Sequence, residues 1–404
     1  MTERVGRLER RLGVQDYKLN ALLDVTRAIN GSATEEDLLG RFRRSLAEHL
    51  HIDRLALYVS GEGGGARLVV SNGCAGVLPE AVVPSVEGWP VVASDRGEGF
   101  DVEVPVLLQG EPVAVLYAGI AEEGHGVSPV VKHFKFIQTL TNVLVVALKN
   151  RQFAANALRQ EATRRELELA AELQAMLVPT EWPEDKDVDL SALYRPHREV
   201  GGDYYDVFPV NANVLAFCMA DVSGKGISAA FVMSNFQANV RTAFQFGGTD
   251  LEIAVRGLNA RVMESARGEK YITLFIALYD RTTRRMRYVN SGHNPPLLML
   301  PDGTAHGLHF GSVGLGMFPE LPSIEVGDVE IPRGSVLVCY TDGLVEQEDA
   351  EGIPFGNTRL ETAVRERRGM GAAAIQEGVL AGLEAFRGAT PAFDDTALLT
   401  AAFR

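Results

Sequence analysis

Residues 200–208 read Val-Gly-Gly-Asp-Tyr-Tyr-Asp-Val-Phe, which sets Gly201, Gly202, Asp203 and Asp206 in a stretch otherwise suited to a β-strand. Glycine weakens a strand interior and marks close approach of a ligand or another backbone segment. A carboxylate among apolar neighbours is costly unless something pairs with it. The same pairing returns downstream. The apolar run Val214 to Ala220 enters Asp221-Val222-Ser223-Gly224-Lys225-Gly226, and Ser335 to Thr341 ends at Asp342-Gly343. Asp394-Asp395 precedes a closing strand, Thr396 to Phe403.

Asp203, Asp221, Asp342 and Asp394 therefore fall where strands are expected to begin or end. Carboxylates grouped without His or Cys suit hard cations, Mg²⁺ or Mn²⁺, rather than zinc. Two such ions about 3.5–4 Å apart, sharing a carboxylate, hold and deprotonate a water for attack on phosphorus. Each motif alone is weak. Asp-Gly is most often a turn, Asp394-Asp395 also reads as a solvated strand entry, and Gly224 with Gly226 lacks Walker spacing. Between the acids, a helix after Gly226 is expected to put Ile227, Ala230, Phe231, Ser234 and Ala238 on one side. Tyr271 to Tyr279 and Arg285 to Asn290 form a hairpin pattern across Asp280 to Arg284.

In order along the chain, VGGDYYDVF, ADVSGKGISAAFVMS, NSGHNPPLLML, YTDGLVEQED and FDDTALLTAAF resemble the bacterial PPM (PP2C-like) serine/threonine phosphatases. The nearer match is their sporulation and stress-response branch, related to SpoIIE and RsbU. It covers about 165–404, and LELAAELQAMLVP resembles the helix which that branch places before its catalytic domain. The resemblance implies a β-sandwich of two antiparallel sheets flanked by helices, with two Mn²⁺ or Mg²⁺ ions at one end. It implies that Asp221 bridges both ions, that the Val222 carbonyl and Asp203 serve one of them, and that Asp342 and Asp394 serve the other. Asp206 and Asp395 are not assigned, Asp395 reading equally as a capping residue. The implied reaction is attack of a metal-activated water on a phosphoserine or phosphothreonine ester, and the implied substrate is an anti-sigma-factor antagonist of the STAS type. Two departures stand out. Many eukaryotic relatives have Asp-Gly-His where this chain has Asp221-Val222-Ser223, so no histidine donates a proton from there. Their phosphate-binding arginine finds a counterpart only in Arg198 or Lys225, both of which also read as solvated surface charges. His293 beside Pro295-Pro296 reads as part of a rigid turn. Two other readings compete: a phosphatase-like signalling scaffold without activity, and a diguanylate cyclase, whose signature also opens Gly-Gly-Asp. Tyr204-Tyr205 replaces the Glu-Phe pair of that signature, and Asp342 and Asp394 are then unexplained.

Ahead of this lies a different pattern. Val5, Leu8, Leu12, Leu19, Leu22 and Ile29 recur at helical spacing up to Gly31, and Thr34-Glu35-Glu36-Asp37 reads as an N-cap and acidic first turn for a helix through Leu50. Strands are expected at Leu55–Ser60 and Arg67–Ser71 across a Gly61–Gly65 turn, then at Val102–Val106 and Pro112–Gly119, with a helix from about 128. Residues 21–150, after an N-terminal helix over 1–20, resemble a GAF-like sensor domain. Cys74 reads as a passive small hydrophobe rather than an attachment point. From about 130 to 178 one long helix is expected. Leu148, Ala155, Ala162, Leu169 and Met176 repeat every seven residues, with a companion seam good at Val145 and Leu173 and broken at Gln152, Arg159 and Glu166. This pattern predicts a two-stranded coiled coil over 151–182 and a homodimer, or else a helix lying on one domain. Pro179 and Pro183, with Glu184-Asp185-Lys186-Asp187, set the boundary of a phosphatase-like domain over 183–404.

The 404 residues carry a net charge of −14, which argues against a broad nucleic-acid surface or attraction to anionic lipid. No apolar run approaches the ~20 residues of a membrane helix, and MTERVGRLERR lacks the apolar core of a secretory signal. Three well-separated cysteines suggest neither a disulfide framework nor a zinc site. The expected location is the cytoplasm.

Overall fold

A computed structural model describes all residues except 1, 62–64, 75–99, 121–127, 180–181, 183–184 and 198. The Gly61–Gly65 turn, Pro183, Glu184 and Arg198 thus lie wholly or partly outside the described residues. The chain divides into two compact units, Met1–Glu161 and Ala162–Arg404.

In the first unit, α1 (Thr2–Asn30) and α2 (Glu35–Leu50) precede strands β1 (Arg54–Ser60), β2 (Ala66–Asn72), β3 (Val102–Leu108) and β4 (Glu111–Gly119). The Thr34 hydroxyl accepts the Asp37 amide at 3.2 Å, so the cap anticipated for α2 is present. The strands form an antiparallel sheet in the order β2-β1-β4-β3. One face packs Leu55, Leu57 and Leu116 against Phe42, Leu46, Ile137 and Leu144 of the helices. The other carries a smaller cluster of Ala56, Tyr58, Val115 and Tyr117. Cys74 is half-buried, its thiol within 3.2 Å of the Leu55 and Asn72 carbonyls.

The expected single helix from about 130 is broken once. A short α3 (Pro129–Lys132) ends at His133, and α4 runs unbroken over Phe134–Ala175, into the second unit. Val145 is buried in the first unit's core and Leu148 packs against it, so the first heptad of the proposed seam serves its own chain. Leu158, Leu169, Leu173 and Met176 are exposed. The division at Glu161/Ala162 falls inside this helix, ten residues after the anticipated start of the linker.

The second unit stacks four layers. A six-stranded sheet has the order β12-β9-β8-β7-β6, with β13 (Gly327–Glu330) also on β9 (Arg285–Ser291). Its core strands are β6 (Tyr204–Pro209), β7 (Val214–Val222) and β8 (Ile272–Asp280); β12 (Gly311–Ser312) joins β9 in parallel. The facing five-stranded sheet has the order β11-β10-β14-β15-β5, from β5 (Val188–Arg195), β10 (Leu297–Met299), β11 (Ala305–Gly307), β14 (Val336–Tyr340) and β15 (Thr396–Phe403). Helices α5 (Ile227–Gly247) and α6 (Leu251–Ala266) cover the first sheet. The short α7 (Asp342–Val345) leads to α8 (Gly356–Arg367) and α9 (Ala372–Arg387), which cover the second.

Strand alternation builds these layers. Along β7, Leu215, Phe217 and Met219 point into the space between the sheets, while Ala216, Cys218, Ala220 and Val222 point at α5 and α6. Along β14 and β15, Leu337, Cys339, Leu399, Ala401 and Phe403 meet the first set. Helix α5 follows Gly226 as expected, and burial divides the side that the sequence grouped together. Its buried stripe is Ala229, Ala230, Met233, Phe236, Val240 and Phe244, whereas Ile227 and Phe231 are exposed. Of the residues grouped on one side in the sequence, Ala230 lies in this stripe and Ser234 is partly buried, while Ile227, Phe231 and Ala238 are exposed.

Candidate active site

The same alternation separates the two aspartates of the opening stretch. Tyr205 and Val207 belong to the core between the sheets, so Asp203, in their register, projects into the end of that space. Tyr204 and Phe208 face the helices, and Asp206 shares their side. There it is fully buried: its oxygens accept Arg241 Nε at 2.7 Å and Nη2 at 3.0 Å from α5, and the Tyr204 hydroxyl at 2.6 Å. Asp206 is thus a sheet-to-helix tie and takes no part in the acidic site.

Four segments converge where Asp203 projects. Asp221, in the register of Met219, lies at the far end of β7 opposite Thr273. Thr341 and Asp342 follow β14, and Asp394 and Asp395 precede β15. Thr341 ties three of these segments together: its hydroxyl donates to Asp203 Oδ2 at 2.7 Å and accepts the Ala397 amide at 2.9 Å. Asp395 caps the loop before Asp203, accepting the His197 amide at 2.7 Å and the Gly202 amide at 2.9 Å. Gln174, buried near the end of α4, closes the loop from the other side. Its amide donates to the Gly201 carbonyl at 2.6 Å and accepts the Gly201 amide at 3.2 Å. The glycines are needed for close approach. A Cβ on Gly202 would lie 2.9 Å from the Val222 carbonyl oxygen, and one on Gly343 would strike the Asp395 carbonyl.

Electrostatics show that the carboxylates share one environment. Burial, then the field of Asp221, pushes the Asp203 carboxyl well above the ordinary range. Burial and Asp342 push Asp221 up to about 6, against a hydrogen bond with Asp203, and Asp394 and Asp395 add to the rise. Asp342 is also raised, by burial and then Asp394. The site carries more negative charge than it can comfortably solvate.

Does this donor set fit divalent cations? Its chemistry does: carboxylates plus the Val222 carbonyl, laid against a glycine, make an all-oxygen site for a hard ion. Among the described residues, no three acidic, imidazole or thiol groups are already gathered into a coordination shell. Asp203 Oδ2 is engaged by the Thr341 hydroxyl, and Asp394 Oδ2 pairs with Lys225 Nζ at 2.7 Å.

Ser223, which stands where eukaryotic relatives have a histidine, and His293 both serve the local structure. Ser223 Oγ accepts the Tyr271 amide at 2.9 Å. His293 is buried with Nδ1 2.9 Å from the Thr273 hydroxyl, and burial pushes it down to about 4, so it is neutral near pH 7. Sequence reasoning missed Thr341 and Gln174. Thr341 was within view, adjacent to Asp342, but neither residue type announces a tether.

Residues 211–404 match the family described as stage II sporulation protein E (SpoIIE). The C-terminal unit carries a SpoIIE domain. That stretch contains Asp221, Asp342 and Asp394 and begins after Asp203. Protein IcfG of Synechocystis is 26% identical over 232 residues, covering 51% of this chain and 36% of its own length. Phosphoserine phosphatase RsbU of Bacillus subtilis is 27% identical over 195 residues, 48% of this chain and 57% of its own. The matched region therefore spans about half or less of these relatives. The SiaA-PP2C domain of Pseudomonas aeruginosa, 19% identical, superposes with a TM-score of 0.55, covering 61% of this chain and all of that one. The SpoIIE domain thus has the PP2C-like fold. No helix among the described residues is long and apolar enough to cross a membrane.

Proposed function

We propose that this protein is a divalent-cation-dependent protein serine/threonine phosphatase acting on a phosphorylated STAS-type anti-sigma-factor antagonist, under control of a GAF-like sensor in its first unit. One observation carries the reading: carboxylates from four separate segments converge, electrostatically coupled, at one end of the sandwich. Asp203, Asp221, the Val222 carbonyl, Asp342 and Asp394 would hold Mg²⁺ or Mn²⁺. When bound, such ions polarise phosphoryl oxygens and lower the pKa of water. The chain's own residues place those oxygens. Thr341 fixes the Asp203 rotamer, Asp395 and Gln174 fix the loop that carries it, and Gly202 and Gly343 keep the approach open. The likeness to phosphoserine phosphatase RsbU supports a phosphoserine ester as substrate, and the STAS-type carrier follows from the resemblance of the sequence motifs to the stress-response branch. The antiparallel sheet with helices on one face and a second apolar cluster on the other supports a sensor of the GAF kind.

The full chain, stripped with EDTA, should release phosphate from a phosphoserine-bearing STAS protein only after Mn²⁺ or Mg²⁺ is restored, and should make no cyclic dinucleotide from GTP. No phosphate release from the STAS substrate or from p-nitrophenyl phosphate at millimolar Mn²⁺ would favour an inactive scaffold instead.

Exposed Leu169, Leu173 and Met176, all on the predicted seams, support pairing of α4 with a second copy. Sedimentation equilibrium at micromolar concentration should give a dimer, and Leu169→Glu with Leu173→Glu should shift it to monomer. A wild-type monomer with full activity would refute the pairing.

A further inference from the structure

Lys225, although partly exposed, is held by specific partners at the acidic site. It sits on the turn after β7, between Gly224 at φ +83° and Gly226 at φ +78°. Both are left-handed conformations that a glycine adopts freely, and they fold the turn back toward the strand end. The base of the turn is braced. The Ser223 amide donates to the Tyr271 carbonyl at 2.9 Å, and Lys270 Nζ donates to the Ser223 carbonyl at 2.8 Å. From this mount the Lys225 ammonium makes three contacts across the site. It pairs with Asp394 Oδ2 at 2.7 Å, donates to the Phe393 carbonyl at 2.8 Å, and lies 5.6 Å from the centre of the Phe393 ring. Its field also acts on Asp342, opposing the effects of Asp394 and Glu346 there.

The placement is one-sided. Asp203 is held by the uncharged Thr341 hydroxyl, while Asp394 is held by a cation. A divalent ion and an ammonium cannot both take Asp394 Oδ2 at bonding distance, because two positive centres there repel at short range. We propose that Lys225 is a tethered counter-cation occupying the Asp342–Asp394 half of the site, so that an ion binding that half must first displace it. The proposal rests on the reading of these acids as cation ligands and adds to it an unequal pair of affinities: one ion enters freely, the other against Lys225. The extent of loading at a given free cation concentration is then set by this residue.

The pair is partly exposed, with side-chain exposure of 40% at Lys225 and 23% at Asp394, so the competition is modest. Removing it should tighten the weaker ion roughly three- to tenfold, the range for an ion pair that is half solvated yet held by two further contacts. Mn²⁺ binding to the full-length, EDTA-stripped chain, read without substrate from the electron paramagnetic resonance of free Mn²⁺, measures this directly. Lys225→Met keeps the stem and removes the charge; it should tighten the weaker step by that factor and leave the tighter step within twofold. Lys225→Arg should leave both steps near wild type. An unchanged or weakened second step in Lys225→Met overturns the proposal, as does a single step in both proteins. Asp394→Asn separates this from failure of the cation-site reading. If it leaves both Mn²⁺ steps intact, the acids are not the ligands; if it removes the weaker step while Lys225→Met changes nothing, only the role of Lys225 falls.

Discussion

Asp221→Asn is expected to lower turnover by at least about 10³-fold, and Asp342→Asn by a similar factor, while the metal-free protein becomes no less stable. Losing a single transition-state hydrogen bond commonly costs ~10²–10³-fold, and these carboxylates would hold the ions on which the chemistry depends. The stability half of the expectation comes from the same residues. In the metal-free chain Asp221 is buried beside Asp342, Asp203 and Asp394, and its carboxyl is pushed up to about 6 from an ordinary 3.8. A group whose folded value is raised binds its proton more tightly in the native state than in the unfolded one. Its ionisation therefore penalises folding fully above about pH 6, and the penalty disappears below about pH 4. Metal-free wild type should accordingly gain stability on acidification from pH 7 toward pH 5, by on the order of 1 kcal/mol from this carboxyl alone. Asp221→Asn should show a weaker dependence. Thermal melts with EDTA across that range, beside phosphate release with Mn²⁺, give both readings. Near-normal turnover in Asp221→Asn would remove the cation-site assignment, whereas lost turnover with a collapsed melting temperature would make Asp221 a folding residue.

Why were these acids visible in the sequence, when their partners were not? Asp203, Asp221, Asp342 and Asp394 each sit beside a strand-length apolar run, and three have a glycine close by, so composition and period placed them at strand ends. The closing strand, Thr396–Phe403, coincides with β15, and the apolar runs before Asp221 and Asp342 fall within one or two residues of β7 and β14. Layering was legible for the same reason, since alternation in β7 divides its residues between two cores. What failed were questions settled by neighbours distant in the chain. Helix α5 is apolar over more than one face, and sequence alone does not say whether the Phe231 or the Phe236 stripe meets the sheet. The break at His133 needed tertiary packing to be seen. Lys225 meets Asp394 from 169 positions away, and Gln174 meets Gly201 across 27, with no periodicity to announce either. Between Asp203 and Asp206 the sequence did hold the answer. Three positions apart on a strand means opposite faces, so the two cannot serve one site.

That parity makes Asp206 a separate test. Arg241→Ala should destabilise the second unit by about 3 kcal/mol, because it leaves a fully buried carboxylate with only the Tyr204 hydroxyl for company. Breaking a buried pair from one side costs ~3–5 kcal/mol; the low end applies because Arg241 is itself 46% exposed and already partly hydrated. For a unit of this size such a loss lowers the melting temperature by roughly 6–12 °C. Asp206→Asn should cost less, since the amide keeps the Tyr204 contact and no net charge remains buried. The double variant Asp206→Asn with Arg241→Met should recover most of the Arg241→Ala loss, as an uncharged pair of similar bulk needs no compensation. Mn²⁺ binding separates this tie from the acidic site, because Asp206 points at α5 and Asp203 away from it. The folded Asp206→Asn protein should bind Mn²⁺ within about twofold of wild type, a small change by the standard of residues that orient metal ligands, where losses run to 10–100-fold. A tenfold loss of Mn²⁺ affinity in Asp206→Asn, with its melting temperature intact, would place Asp206 among the cation ligands and contradict the strand register.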